Sequence, residues 1–203
     1  MPYPAQTSRE AIVAAAQALI ERDGVDQVSL AQLAAALNIK APSLYRHVAS
    51  KAALLQAVVT RTFAQLFDAY NDALGAGPAE PALQMRRVLA AHRSFAHAHP
   101  ASYILAFTSK ESAERPDDQL LEGMVQPIQR LLAEVTGEAA ALAALRGALA
   151  LVHGFVMLEL HQQLRRGGDL DAAFAAAVDA YLAGWQQYAS DAAAQQSHPH
   201  GAG

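Results

Sequence analysis

The sequence predicts an all-α protein. Three observations support this fold class. Ala and Leu, two of the strongest helix formers, dominate the composition; apolar residues recur at three- and four-residue spacing along most of the chain; and no segment shows the strict alternation of a half-buried strand. With 203 residues, 53% of them hydrophobic, the chain can bury a substantial core. We therefore expect packed helices in one or two compact units.

The first three helices are predicted from signals at their ends. Thr7 and Glu10 form a capping-box pattern at the start of the first helix, and Gly24 follows its last turn. Ser29, with a glutamine three residues later, starts a second short helix in the same way. A third, very short helix begins around Pro42, because proline fits the first turn of a helix, where its missing N–H costs nothing.

The rest of the chain is predicted to form longer helices separated by Gly and Pro. One starts at Lys51 and ends at residues 75–78. Further helical patterns cover residues 81–99, 100–108, 117–136, 138–166 and 170–188. We predict a first domain at residues 1–55, a second at residues 56–190, and a disordered tail at residues 191–203, which have no periodicity.

Charge is distributed unevenly along the chain. The formal net charge is −4, yet residues 27–67 contain no Asp or Glu. The Lys and Arg residues of this segment are Lys40, Arg46, Lys51 and Arg61. A locally basic segment inside an acidic protein is what binding a polyanion with one surface requires. Chance clustering of charges is the alternative interpretation.

Several classes of function lack their sequence signals. The chain has no cysteine, which excludes disulfides, thiolate zinc sites and cysteine nucleophiles. It also lacks a Gly-rich phosphate loop, a Gly-x-Ser-x-Gly turn and a convincing carboxylate pair, so we expect neither an enzyme nor a bound cofactor. No apolar run is long enough to span a bilayer without including charged or turn residues, and the N-terminus lacks the pattern of a signal peptide, so we expect a cytoplasmic protein without membrane contact.

Residues 30–45 have the layout of a helix-turn-helix. Ala34 is small enough for two helices to cross closely, and Asn38 tolerates the left-handed backbone that the turn needs. The apolar residues that would face the shared core are Leu33, Leu37, Ile39 and Leu44. An ordinary helical hairpin shows the same periodicity, so the pattern alone leaves both interpretations open.

The residues that follow resemble one family of regulators. Residues 43–48, Ser-Leu-Tyr-Arg-His-Val, resemble the recognition-helix signature of the tetracycline-repressor (TetR) family, and Ser50 and Lys51 stand where that family caps and opens its fourth helix. The resemblance is close over roughly the first 60 residues and extends beyond them only to helix number, length and order. It implies an N-terminal three-helix helix-turn-helix domain, joined by a long helix to a C-terminal helical ligand-binding and dimerisation bundle.

The resemblance also implies the DNA contacts. Residues 41–47 would lie in the major groove of double-stranded operator DNA, and the N-termini of the second and fourth helices would hold phosphates. The first two residues of the third helix offer only apolar contacts, for which thymine methyl groups are suitable partners. The implied contact residues are Ser29, Lys40, Ala41, Pro42, Ser43, Tyr45, Arg46, His47 and Lys51. Tyr45 could instead pack beside Leu44, and Lys51 could be a solvated helix start.

The last two predicted helices suit a homodimer. Alanine-rich faces in residues 138–166 and 170–188 let helices approach closely, as a four-helix dimer interface requires. Dimerisation also follows from the implied mechanism, because one short recognition helix reads too few bases and two must be presented about 34 Å apart.

Two polar residues interrupt an apolar stretch of the second domain. His153 and Gly154 resemble the His-Gly element of a TetR subgroup whose sensing domain is named for Trp, His and Gly, although no tryptophan stands shortly before His153. His153 and Glu159 need partners, since unpaired buried polar groups are costly. His153 either lines an effector cavity or is a satisfied structural histidine, and both interpretations stay open.

The second domain also supplies candidates for an oily, weakly polar effector cavity. These are His92, Phe95, Tyr103, Phe107, Met124, His153 and Met157. Each could instead be plain core, which is the more common role of an apolar helix face. The histidine spacing argues against a metal site, because His92 and His97 miss the i, i+4 spacing of a helical ligand pair.

Together these features predict a sequence-specific, DNA-binding transcriptional regulator. We expect a homodimeric repressor that a small, largely apolar effector releases from its operator, with the long fourth helix as the lever between the domains. A helical interaction protein without DNA binding is the alternative function.

Overall fold

The computed structural model describes residues 8–109 and 115–196. Within these ranges the chain forms α-helices and one 3-10 helix, with no β-strand. The helices are α1 (Arg9–Asp23), the 3-10 helix (Val25–Gln27), α2 (Leu30–Ala36), α3 (Ala41–Tyr45), α4 (Lys51–Gly75), α5 (Pro81–Ala98), α6 (Pro100–Thr108), α7 (Asp118–Thr136), α8 (Glu138–Leu160) and α9 (Leu170–Gln196). The all-α fold class predicted from the sequence is confirmed.

The described residues divide into two compact units. The first unit lies within Met1–Phe67 and Ala98–Leu121, and the second lies within Asp68–His97 and Glu122–Gly203. α4 begins in the first unit and continues into the second, so a single helix belongs to both. The predicted functional division after residue 55 falls inside this helix.

Side-chain caps determine where the first two helices begin. The Ser8 hydroxyl accepts a hydrogen bond from the Ala11 N–H at 3.1 Å and caps α1; the predicted cap, Thr7, lies outside the described residues. At α2, the Ser29 hydroxyl accepts from the Gln32 N–H at 3.2 Å, while the Gln32 side chain accepts from the Ser29 N–H at 2.9 Å. The predicted capping box at Ser29 is therefore confirmed.

The turn between α2 and α3 is built around a left-handed residue. Asn38 has a φ of +52°, as predicted. Its N–H donates to the Ala35 carbonyl, and the Ile39 N–H donates to the Ala34 carbonyl, both at 3.0 Å. This pair of bonds satisfies carbonyl groups that the end of α2 would otherwise leave unpaired.

α2 and α3 pack on a hydrophobic core that they share with α1 and α4. Leu33 and Leu44 are fully buried, and Ala34 is buried beside them. Leu37 and Ile39 are half-buried against the same core. The residues predicted to face the inside of a helix-turn-helix therefore do so.

α6 packs with the helix-turn-helix in the first unit, although the sequence analysis assigned it to the second domain. Leu105 belongs to the same hydrophobic core as Leu33. The Glu21 carboxylate of α1 accepts hydrogen bonds from the N–H groups of Ala101 (3.1 Å) and Ser102 (2.9 Å). These are N–H groups that the first turn of α6 leaves unpaired, so a side chain of α1 caps α6.

The second unit is built from α5, α8, α9, most of α7 and the end of α4. Its buried residues include Val88, Leu89, Leu132, Val152, Val156, Phe174, Val178 and Leu182. α8 and α9 meet closely at Gly147, where an added Cβ would lie 2.9 Å from the Tyr181 hydroxyl oxygen. That hydroxyl donates to the Ala144 carbonyl. A larger residue at position 147 would therefore displace the Tyr181 side chain.

α8 ends earlier than predicted, at Leu160 rather than at residue 166. Gln162 adopts a left-handed φ of +53°, and the Gln163 N–H donates to the Leu158 carbonyl at 2.8 Å. This hydrogen-bonding pattern closes a helix in the same way as the turn after α2. Glutamine seldom adopts this backbone, so the sequence carried no stop signal here.

α9 is longer than predicted. It continues to Gln196 instead of ending at residue 188, because the alanines and glutamines of this stretch are good helix formers. The prediction of disorder from residue 191 onward is therefore wrong up to residue 196. The remainder of that tail lies outside the described residues.

α8 is long and apolar enough to cross a membrane by length and composition alone. The sequence expectation concerned apolar runs free of charged and turn residues, and α8 contains Arg146 and Gly147. A core or interface helix of a water-soluble protein meets the same criterion. Leu142 and Leu149 of α8 are 44% and 45% exposed, so the helix has an apolar face that its own chain does not cover.

Substitutions at Asn38 test the turn between α2 and α3. Asn38→Val should lower the free energy of unfolding by about 1–2 kcal/mol, because a β-branched side chain is strained at positive φ. Asn38→Gly should leave stability unchanged or raise it, since glycine adopts this backbone freely. Urea unfolding followed by circular dichroism measures both. Equal destabilisation by the two substitutions would show that the asparagine side chain, and not the backbone angle, stabilises the turn.

Candidate functional site

α3 and the residues on either side of it, 40–47, carry most of the residues predicted to contact DNA. Leu44 is fully buried, whereas its neighbour Tyr45 is 54% exposed, which argues against a packing role for the tyrosine. A buried leucine thus holds the short helix while the adjacent side chains face solvent. The exposed members of the predicted set are Ser29, Lys40, Ala41, Pro42, Tyr45, Arg46, His47 and Lys51, and Ser43 is half-buried.

Four of these side chains also have partners within the chain. The Ser29 hydroxyl is engaged in the capping box of α2. The Arg46 Nη2 donates to the Ser43 hydroxyl at 3.1 Å, which positions the guanidinium along α3. The Lys51 Nζ lies 3.4 Å from the Val25 carbonyl oxygen. An ammonium group has three donors, so this contact leaves Lys51 able to bind a phosphate.

The chemistry of this surface suits a nucleic acid. Tyr45 offers a hydroxyl and an aromatic face, and His47 offers an imidazole. Lys40 and Arg46 add positive charge at either end of the helix, in a segment that contains no acidic residue. Cations and hydroxyls contact phosphates and fix the position of a protein on DNA, while side chains that reach the groove read base edges.

The residues predicted to line an effector cavity are divided between the two units. Tyr103 and Phe107 lie on α6 in the first unit, with ring centroids 4.5 Å apart, and the Phe107 ring is 5.2 Å from that of Phe63. Tyr103 is fully buried, and burial raises the pKa of its hydroxyl. The candidates in the second unit are His92, Phe95, Met124, His153 and Met157.

His92 is the most deeply buried polar candidate of the second unit. It is 2% exposed, and its Nδ1 lies 2.5 Å from the Tyr70 hydroxyl oxygen. Burial, and then the nearby charge of His153, lower the pKa of His92 to about 3. Burial also lowers the pKa of His153. His92 is therefore uncharged at neutral pH, and the pair makes its surroundings only weakly polar.

Glu159 lies in an apolar helix and was expected to need polar partners, and the structure provides them. Its carboxylate accepts from Arg93 Nη2 (2.6 Å) and Nε (2.9 Å) and lies 3.0 Å from His97 Nε2. Arg93 Nη1 also donates to Asp171 at 2.7 Å, and the guanidinium lies over the Phe174 ring at 5.1 Å. This ion cluster joins α5, α8 and α9. The sequence showed that Glu159 needed a partner, but not that Arg93 would be it.

The histidines of the described residues do not converge on a metal site. Across residues 8–109 and 115–196, no three His, Asp or Glu side chains are grouped closely enough to hold a metal ion. His92 contacts Tyr70 and His97 contacts Glu159, so these two histidines have different partners.

Two family models match the chain. One, described as "Bacterial regulatory proteins, tetR family", covers residues 12–58, and the other, described as "Tetracyclin repressor-like, C-terminal domain", covers residues 85–181. An HTH-type transcriptional regulator of Mycobacterium tuberculosis, Rv0681, is 37% identical over 161 residues, which are 77% of this chain and 72% of that protein. The chain belongs to the TetR family.

Other similar proteins extend the likeness along the whole TetR fold. The HTH-type regulator YobS of Bacillus subtilis is 27% identical over 179 residues, 87% of this chain and 92% of that protein. A solved structure from Rhodococcus sp. RHA1 superposes with a TM-score of 0.78 at 26% identity, covering 92% of this chain and 99% of that one. A TetR variant from Acinetobacter baumannii AYE, solved in complex with minocycline, has the same fold, with a TM-score of 0.66 at 24% identity and coverage of 88% and 96%.

As a TetR-family protein, the chain is a DNA-binding transcriptional regulator and not an enzyme. The alternative of a helical interaction protein without DNA binding is thereby excluded. The TetR fold serves operator binding, homodimer formation and small-molecule binding in general. Membership of the subgroup named for Trp, His and Gly stays a prediction, because neither matching description names it.

The Glu159 cluster should make the stability of this TetR protein depend on pH. Burial raises the pKa of Glu159, but the hydrogen bonds from Arg93 and His97 outweigh it, so the pKa lies below its ordinary 4.5. The stabilisation is therefore complete above that pH and is lost as the pH falls through the lowered pKa. Glu159→Gln should lower the free energy of unfolding at neutral pH by about 2–3 kcal/mol, because Arg93 loses its charged partner.

Urea unfolding at several pH values measures this effect. Glu134→Gln is the matched control, since Glu134 is an exposed carboxylate of the same unit. Equal stability losses in the two variants would contradict a special role for Glu159.

Proposed function

We propose that this TetR-family regulator is a homodimeric repressor, and that a small, largely apolar effector releases it from operator DNA in the cytoplasm. The observation that carries the proposal is the outer face of α3 and of the turn that follows it. There Tyr45 and His47 are exposed, while Leu44 and Val48 beside them are buried in the core. A recognition helix needs this combination, because its contacts are useful only when the helix is held rigidly.

In the proposed complex, α3 lies in the major groove. Ser43, Tyr45 and His47 contact phosphates or base edges, and Lys40 and Arg46 bind phosphates beside them. Ala41 and Pro42, both exposed at the start of α3, contact apolar parts of the bases. Lys51 and the N-terminal amides of α2 and α4 hold further phosphates. Since the Ser29 hydroxyl caps α2, we propose that Ser29 acts there by positioning those amides.

The proposed dimer forms through α8 and α9. Leu142 and Leu149 on α8 are almost half exposed, and Tyr188 on α9 is 58% exposed. Tyr188 packs edge-on against Trp185, with ring centroids 5.4 Å apart. Apolar and aromatic side chains of this kind make stable interfaces when a second copy covers them.

The second unit is the proposed place of the effector. His92 and His153, with Phe95, Met124 and Met157, supply apolar surface and imidazoles that burial keeps uncharged. Such surroundings favour a weakly polar ligand over a charged one. The minocycline complex of the Acinetobacter baumannii protein is in keeping with a small-molecule ligand in this fold.

The proposed release mechanism is a shift between two conformations. α4 carries core residues of the first unit and continues into the second. In the proposed mechanism, α4 therefore transmits the conformational change from the effector to the DNA-binding helices. α6 provides a further link, because Glu21 holds its N-terminus against α1. A coupling of about 1–3 kcal/mol, roughly 5- to 150-fold in affinity, is enough to release an operator.

Substituting Tyr45 tests the proposed DNA contact. Tyr45→Ala should abolish operator binding in a gel-shift assay against the DNA upstream of the protein's own gene, because the exposed ring and hydroxyl are lost. The variant should remain folded and dimeric, since Tyr45 lies outside the core. Tyr45→Phe, the matched control, separates the hydroxyl from the ring. Unchanged binding by Tyr45→Ala would refute the proposed contact.

Substituting Leu149 tests the proposed dimer. Leu149→Glu should weaken dimerisation on the order of 100-fold or more, because it buries an unpaired charge in the interface. Leu83→Glu is the control, since Leu83 on α5 is 43% exposed and lies outside the proposed interface. Sedimentation velocity over a concentration series measures both. A Leu149→Glu variant that stays dimeric would place the interface elsewhere.

A further inference from the structure

The first unit contains a cleft that is separate from the proposed effector residues of the second unit. The cleft has a volume of about 480 Å³ and is bounded by the start of α1, the middle of α4 and the residues around the start of α7. Its apolar walls include Val13, Ala57, Ala64 and Leu120. A volume of this size lies within the range of small-molecule sites, roughly 300–1,000 Å³.

Arg61 supplies the strongest polar group of the cleft. It is half-buried, and its Nε donates to the Gln17 side-chain oxygen at 2.9 Å. Gln17 in turn donates to the Gln65 side-chain oxygen at 2.7 Å, so this chain of hydrogen bonds holds the guanidinium in place. Within residues 8–109 and 115–196, neither Nη of Arg61 has an acceptor. Two parallel Nη donors match the two oxygens of a carboxylate.

The acidic residues of the cleft already have other partners. The Asp117 carboxylate accepts from the N–H groups of Gln119 (3.0 Å) and Leu120 (3.1 Å) and so caps α7. The backbone N–H of Glu10 itself, followed by the Ser8 hydroxyl, lowers the pKa of Glu10 at the start of α1. Both carboxylates are exposed, where water and salt screen them, and neither is paired with Arg61.

We infer that this cleft is a second small-molecule site, which binds an amphipathic carboxylate. The carboxylate pairs with the two Nη groups of Arg61, and the apolar part of the molecule lies against Val13, Ala64 and Leu120. The site touches α1 and α4, which form the core beneath α3. It therefore gives the regulator a second input, on α1, α4 and the start of α7.

Octanoate and octanol, which share an alkyl chain and differ in charge, are suitable probes. We would titrate each into the isotopically labelled full-length protein, without DNA, and follow the amide NMR signals of Gln56, Thr60 and Leu120. Octanoate should give saturable shifts of these signals, and octanol should not. Because no operator is present, the result is independent of repression and of DNA binding.

Two substitutions in the cleft test which side chains bind octanoate. Arg61→Gln should weaken octanoate binding on the order of 10- to 100-fold, the value of a lost charge-assisted hydrogen bond. Leu120→Glu should weaken it as well, since Leu120 is 41% exposed on the wall of the cleft and a carboxylate there repels the probe. The matched controls are Arg130→Gln and Leu83→Glu, both exposed residues outside the cleft, which should bind as the unmodified protein does.

Three results would overturn the inference. These are no saturable shift with octanoate, equal shifts with octanol, and unchanged octanoate affinity in both cleft variants. If Arg61→Gln disturbs the fold, Leu120→Glu still decides the outcome, because its side chain lies at the surface.

Discussion

The DNA-binding surface depends on one constraint, which is that α2 and α3 are too short to be stable alone. Isolated helices shorter than roughly 12 residues are marginal in water, and α2 and α3 have 7 and 5 residues. Burial of Leu33 and Leu44 in a core supplied largely by α1 and α4 holds them in place. The exposed side chains of α3 therefore keep a defined geometry only while that core is intact.

The same constraint supports the proposed coupling between effector binding and the position of α3. α4 contributes Leu54 and Val58 to the core and continues beyond Phe67 into the second unit. α6 adds Leu105, and Glu21 holds the first turn of α6 against α1. Close-packed interiors transmit small displacements instead of absorbing them. A shift of either helix thus alters the support beneath α3, which is the coupling that a ligand-responsive regulator needs.

Polar groups in the described interior of the second unit are paired or uncharged, and this shapes what the unit can bind. Glu159 is neutralised by Arg93, and His92 contacts Tyr70 with a lowered pKa. The sequence indicated that Glu159 needed a partner, because it interrupts an apolar helix. It did not identify the partners, since Arg93 and Glu159 are 66 positions apart and meet only through the packing of α5 against α8.

By itself, the sequence determined the helix-turn-helix and the family, because their signals are local. The Ser29 cap, the proline at position 42, the left-handed Asn38 and the motif at residues 43–48 each act within a few positions of the chain. Only the tertiary structure decided that α6 packs with the DNA-binding helices, that α8 ends at Leu160, just before the left-handed Gln162, and that Arg61 borders a cleft with α7. These features depend on contacts between helices that are distant in sequence, or on a left-handed backbone that glutamine seldom adopts. The pattern of residues along the chain indicates neither the contacts nor the backbone conformation.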